Sequence, residues 1–192
     1  MDDEIETVLW TQDQIAVRVD QLAKEIAHDF KPPACPPVIV GVATGAFLFL
    51  GDIVRKINLP ILVDLVRVES YGFGTESSGS PVISSKLKID VAGKHVMLVE
   101  DIVDTGRTLS CLIKYLESEG ASSVSVCTFL DKPTRRKVHF ELLGDGKFYR
   151  GFECPDYFVV GYGMDFAEKY RNLPYVGVLK PGLYQEASLP KN

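Results

Sequence analysis

Paired cysteines are the first thing missing. Cys35, Cys111, Cys127 and Cys154 are scattered, none in a C-x-x-C pair, and no histidine (His28, His95, His139) stands at ligand spacing from them. Neither a zinc site nor a disulfide framework is expected, and the thiols read as small, reduced residues of a cytoplasmic protein. Long apolar runs are missing too. The longest, PPVIVGVATGAFLFLG at 36–51, is interrupted by Gly and Thr and is too short for a membrane span. Basic excess is absent: the net charge is −5, which argues against nucleic acid or an anionic membrane as a partner. The opening MDDEIETVLW has neither a basic stretch before an apolar one nor an Arg/Ser-rich amphipathic stretch, so no signal or transit peptide is expected. The closing SLPKN matches no retention or peroxisomal address, and there is no Asn-x-Ser/Thr site and no internal repeat.

What is present suits one soluble globule. The 192 residues are 46% hydrophobic and 24% charged, enough for a sizeable core. Residues 12–30 carry Ile15, Val19, Leu22 and Ile26 at helical spacing. KPPACPP cannot continue that helix and reads as a linker. VIVGVA is a short buried strand. TGAFLFLGDIVRKI returns to helical period, with Phe47, Leu50 and Val54 on one side. PILVDLVRVESY reads as a strand with Leu62, Leu65 and Val68 as its apolar positions, and GFGTESSGS as a mobile loop. KHVMLV is another strand. Leu109, Leu112, Ile113 and Leu116 then follow helical spacing, with Gly120 as the stop. SSVSVCTFLD and DYFVVGYGMD complete the strands. Alternating strands and helices define an α/β domain with a mainly parallel twisted sheet flanked by helices.

The chemistry concentrates in VMLVEDIVDTGRTL, residues 96–109. In a parallel sheet, ligands gather at the carboxyl ends of the strands. Gly106 permits a tight turn, Thr105 and Thr108 offer hydroxyls, and the next helix presents N–H groups to an anion. Glu100, Asp101 and Asp104 would repel that anion, so they must face a metal or another part of the ligand. A sugar diol suits carboxylate acceptors. A phosphate at one end with a diol in the middle describes a ribose phosphate. The plainer reading makes Asp104 a helix N-cap in a solvated acidic loop. It leaves the Glu100–Asp101 pair at a buried strand end unexplained.

The run VEDIVDTGRT resembles the phosphoribosyl-pyrophosphate motif of the type I phosphoribosyltransferases. TFLDKP, DYFVVGYGMDF and VRVESYGFG add a likeness to the 6-oxopurine branch, extending over about residues 37–180. The resemblance implies a type I phosphoribosyltransferase fold, with a core over 35–165 and a small hood from 1–34 and 166–192. It implies transfer of phosphoribosyl from phosphoribosyl pyrophosphate to N9 of hypoxanthine or guanine, giving IMP or GMP with Mg²⁺ as the cofactor. It also implies a homodimer or homotetramer.

Residue by residue, the resemblance makes Asp104 the general base. Glu100, Asp101, Asp104, Thr105, Gly106, Arg107 and Thr108 bind the phosphoribosyl group. Lys132, Phe158, Val159 and Asp165 bind the base, and Ala43, Thr44, Gly45 and Arg171 bind pyrophosphate. Ser70 and Tyr71 belong to a lid, and Glu100, Asp101 and Asp165 hold the metal. An ammonium such as that of Lys132 favours an oxopurine over adenine, whose amino group would set donor against donor. Thr44 departs from the lysine usual at its position in such enzymes, where a non-proline cis peptide is also frequent. Each assignment has a plainer reading: KPTRRK as a solvated turn, Phe158 as core, Asp165 as the cap of a helix near FAEKYR, and 72–80 as an idle loop. Xanthine or adenine as the base, and an RNA-binding regulator using KPTRRK, are the alternative functions.

Overall fold

A computed structural model describes residues 1–30, 36–70 and 81–185. Most of KPPACPP, all of GFGTESSGS and Tyr71 therefore lie outside the described residues. The chain opens with β1 (Ile5–Trp10) and α1 (Gln12–Asp29). Next come β2 (Val38–Ala43), α2 (Phe47–Val54), β3 (Leu62–Ser70), β4 (Pro81–Ile83), β5 (His95–Val103), α3 (Arg107–Ser118) and β6 (Ser123–Asp131). β7 (Phe148–Glu153), β8 (Val159–Val160), β9 (Val176–Leu179) and α4 (Pro181–Gln185) follow.

Six strands form the central sheet in the order β4-β3-β2-β5-β6-β7. All are parallel to their neighbours except β4, which runs antiparallel on the edge. β6 is buried over all nine residues, as a strand covered on both faces must be. α1 and α2 pack on one face with Ile39, Met97 and Val99. α3 covers the other face through Leu109, Leu112, Ile113 and Leu116, and burial of such a side chain contributes about 1.5–3 kcal/mol. α1 begins where Thr11 and Gln14 bond reciprocally, Gln14 N to Thr11 Oγ1 at 3.3 Å and Thr11 N to Gln14 Oε1 at 2.9 Å. That box satisfies helix-start donors which would otherwise lack partners.

Some expectations fail for physical reasons. DYFVVGYGMD supplies only the two residues of β8, and these join β9 and β1 in a separate antiparallel sheet ordered β1-β9-β8. FAEKYR is not helical. Ala167, Glu168 and Tyr170 all take positive φ there, and the segment folds as tight turns. The apolar face of α2 is Phe49, Leu50 and Ile53, while Phe47 is 45% exposed. FLFL offers two apolar stripes at once, and the sheet below selects one. In β3 the buried residue is Val66, whereas Leu62 and Leu65 are exposed, because only the short β4 lies beyond this strand. Among the described residues no helix is long and apolar enough to cross a membrane, and Cys111, Cys127 and Cys154 are free thiols.

Candidate active site

The parallel strands deliver Ala43, Ser70, Val103 and Asp131, their last residues, to one edge of the sheet. β5 does not stop at Val99. It continues through the acids to Val103, pairing Glu100 with Thr128 and Val103 with Asp131. The acids are therefore strand residues, and they diverge. Glu100 lines a small pocket of about 70 Å³ on the α3 side with Thr105, Gly106, Thr108 and Leu109. Asp101 turns to the loop before α2, where Gly45 lies against its carboxylate.

The turn after β5 is tight and braced. Gly106 has φ +82°, and a β-carbon there would lie 2.5 Å from Val138 O. Thr105 O accepts from the amides of Lys137 at 3.0 Å and Val138 at 2.9 Å, so a later segment braces the turn. The amide of Arg107 contacts Thr105 Oγ1 at 3.4 Å. Asp104 does not cap α3; Gly106 occupies that position. Its carboxylate instead accepts from Arg135 Nε at 2.9 Å.

A second corner forms around Asp101. The Ala43–Thr44 peptide is cis, and Thr44 itself is exposed. A β-carbon on Gly163 would lie 2.2 Å from Gly45 O. Arg171 donates from Nη1 to Gly163 O at 2.8 Å and pairs through Nη2 with Asp165 Oδ1 at 2.8 Å. Asp165 Oδ2 accepts from the Glu168 amide at 2.9 Å. Residues far apart in sequence thus meet here: Gly45 lies against Asp101, and Gly163 of the segment 163–171 closes on Gly45.

Electrostatics single out the same acids. Burial, with the adjacent Asp101 charge adding to it, holds Glu100 well above the ordinary carboxylate range. Burial also pushes the Asp101 carboxyl up to about 6, against the pull of the Ile102 amide and Arg171. Although the residue as a whole keeps some exposed surface, its carboxyl group is enclosed. Glu100 Oε2 and Arg171 Nε are buried without a partner among the described residues. An unmatched acceptor on the α3 side and an unmatched donor at the Asp101 corner each call for a ligand group or a water.

At a third corner, Lys132 is buried, and its Nζ donates to Tyr157 O at 2.5 Å. Phe158, next along, is half-buried. Its ring stacks on Tyr184 at 4.6 Å and meets Phe166 edge-on at 5.6 Å. Phe158 O accepts from Leu179 N at 2.9 Å. By the alternation of an antiparallel ladder, Val159 then directs its own N–H and C=O to the free edge of β8. Ser70 ends β3 and pairs with Pro81.

Sequence reasoning missed four contributors. Arg135 and Arg136 were visible only as a basic cluster. Gly163 was one glycine of several. Tyr184 had no signal at all, because its role depends on how the chain end returns to Phe158.

A divalent cation fits the donor set. Among the described residues no group of three or more His, Cys, Asp or Glu is arranged to hold a metal alone. Mg²⁺ commonly takes one or two carboxylates and completes its shell with substrate phosphate oxygens and water. Glu100, with an unpartnered buried oxygen, and Asp101 meet that requirement.

The family model for the phosphoribosyl transferase domain matches residues 9–167, and the chain belongs to that family. Within it, hypoxanthine-guanine phosphoribosyltransferase of Bacillus subtilis is 40% identical over 96% of this chain and 99% of its own. The Mycobacterium avium enzyme of that name is 40% identical over 95% and 90%. The bifunctional TilS/HprT proteins of Listeria are 41–42% identical, and there the chain spans about 28% of their length. A crystal structure of hypoxanthine phosphoribosyltransferase from Staphylococcus aureus superposes with a TM-score of 0.86 at 38% identity, covering 96% of each chain. The fold is the type I phosphoribosyltransferase fold.

Proposed function

We propose that this chain serves purine salvage, transferring the 5-phosphoribosyl group from phosphoribosyl pyrophosphate to N9 of hypoxanthine or guanine. The observation that supports it is Glu100 Oε2, buried without a partner among the described residues, in the small pocket that Glu100 lines with the glycine turn at the start of α3. The names of the relatives supply the base.

In this reading, residues Thr105 to Thr108 clasp the 5′-phosphate, and Glu100 and Asp101 accept from the ribose hydroxyls. Ala43, Thr44, Gly45 and Arg171 face the pyrophosphate. Phe158 stacks on the purine, Lys132 donates to O6, and Val159 and Asp165 meet the other base edge. N9 bonds to C1 of the ribose as the bond from C1 to pyrophosphate breaks, the leaving oxygen keeping the electron pair. Asp104 takes the N7 proton, a step worth ~10²–10⁴-fold. Mg²⁺ would be held through one or two of the carboxylates Glu100, Asp101 and Asp165, not all three at once, together with substrate oxygens, and would neutralise the leaving group. The lid reading of Ser70 and Tyr71 falls at the edge of the described residues, with Tyr71 and the loop after it outside them. The three-stranded sheet, built from described residues of the segments 1–34 and 166–192 with β8 added, forms the hood over the base.

The partner is a second copy of the chain, in a homodimer or homotetramer. Val63, 46% exposed, and Leu65, 51% exposed, offer it an apolar face on β3. The setting is cytoplasmic, in keeping with the free thiols. A panel of radiolabelled bases with phosphoribosyl pyrophosphate and Mg²⁺ tests the activity. Labelled IMP and GMP are expected, and label in neither would defeat it.

A further inference from the structure

The carboxylate of Asp104 is tied to a neighbour whose role in the reaction is unassigned. Arg135 Nε donates to its Oδ1 at 2.9 Å, and Nη1 of the same guanidinium donates to Asp156 Oδ1 at 3.2 Å. Arg136, the next residue, serves the backbone instead: its Nη1 donates to Asp104 O at 3.1 Å while its Nη2 pairs with the buried Asp131. One arginine therefore fixes the chain at Asp104, and the other fixes the carboxylate.

Those two restraints are different in kind. The terminal torsion of an aspartate is broad and nearly two-fold, so a well-placed backbone does not orient the acceptor oxygens. The Nε contact engages Oδ1 and leaves Oδ2 as the acceptor for another donor. A guanidinium stays protonated, so it cannot itself receive the purine proton. A general base must hold an oxygen within about 2.6–3.2 Å of the proton's donor atom, and a carboxylate free to rotate would spend much of its time elsewhere.

The other end of the bridge is also informative. Asp156 begins the stretch 156–158, in which Tyr157 O receives Lys132 Nζ and Phe158 carries the stacking ring. The guanidinium of Arg135 thus spans from the segment that would seat the base to the group that would take its proton.

We propose that Arg135 is a positioning residue for Asp104, coupling the base-binding segment Asp156–Phe158 to the orientation of the proton-accepting carboxylate. This rests on the reading of Asp104 as the general base. The bridge presets Oδ2 toward N7 when the base is seated. Two other cations of this turn bond away from the Asp104 carboxylate, Lys132 to Tyr157 O and Arg136 to Asp104 O and Asp131.

A double-mutant cycle with R135Q, D104N and the combined variant tests it, measuring kcat, KM for hypoxanthine and KM for phosphoribosyl pyrophosphate. R135Q is expected to lower kcat about 10- to 100-fold with KM for phosphoribosyl pyrophosphate within about twofold, the pattern of a lost transition-state interaction. Added to D104N, it should cost no more than about twofold, since residues acting through one group are not additive. D156N keeps the guanidinium but frees its far end. It should lower kcat about 3- to 10-fold, again only while Asp104 is present. Multiplicative losses in the cycle would overturn the proposal, as would wild-type kcat in R135Q and D156N while D104N is impaired. Wild-type kcat in D104N would bring down the general-base reading itself. Should R135Q fail to fold, the D156N and D104N arms decide alone.

Discussion

Gly45 and Asp101 are in such close approach that a β-carbon on Gly45 would lie 1.8 Å from Asp101 Oδ2. No side chain fits between them without moving the acid, the loop or both. This contact joins the loop after β2 to the acidic end of β5. A smaller mark of the same packing is Gly163, whose β-carbon would strike Gly45 O.

Gly45→Ala is therefore expected to displace Asp101 while leaving the core intact, because the change lies at the open edge of the sheet. A misplacement of about 1 Å in such a site can cost about 10²-fold in rate. Steady-state kinetics should show a loss of that order in kcat/KM, with unfolding temperature changed little. Wild-type kcat/KM would mean that the loop and Asp101 separate without consequence.

Phe158 is expected to contribute affinity for the base rather than chemistry. Its ring is held by Tyr184 and Phe166, and stacking is worth about 1–3 kcal/mol per base. Phe158→Ala should raise KM for hypoxanthine about 5- to 100-fold, leaving KM for phosphoribosyl pyrophosphate within about twofold. An equal rise in both would point to collapse of the segment instead. Tyr184→Ala should produce a weaker version of the same split.

Much of this was legible in sequence. The strand–turn–helix at 96–116 can be read from apolar spacing and Gly106, because both are local signals. Arg171, Asp165 and Gly45 were assigned only by resemblance, since nothing local says that 163–171 returns to 43–45. β1 and β9 were illegible for a related reason. β1 alternates imperfectly, with register shifts against β9, and its partner lies about 170 residues away. FAEKYR misled because Lys, Glu and Ala favour helices, while Asp165 and Arg171 draw the chain into turns.

The exposed apolar residues of β3 give a prediction about assembly. Leu65→Glu is expected to convert the proposed oligomer to monomer in sedimentation velocity, because a charge at such an interface would be desolvated without a partner. Stability of the monomer fold should change little, as Leu65 is 51% exposed. An unchanged sedimentation coefficient, whether oligomeric or monomeric in both proteins, would place any interface elsewhere.

Acid sensitivity is expected to come partly from the far end of the sheet. His95 bonds through Nδ1 to Ser123 Oγ and through Nε2 to Ser125 Oγ at 3.0 Å, with the Phe30 ring edge-on at 4.5 Å. Burial holds its imidazole below the usual 6.5, with the Asp145 charge pulling the other way. The unfolded chain therefore takes up this proton at a higher pH than the folded one. Stability from the neutral imidazole is fully present above about pH 6.5 and is lost as pH falls through the depressed folded value. Urea unfolding at pH 7.5, 6.5 and 5.5 should show falling stability, and His95→Gln should flatten that fall even if it lowers stability at pH 7.5. An identical slope in the variant would move the acid sensitivity to other groups.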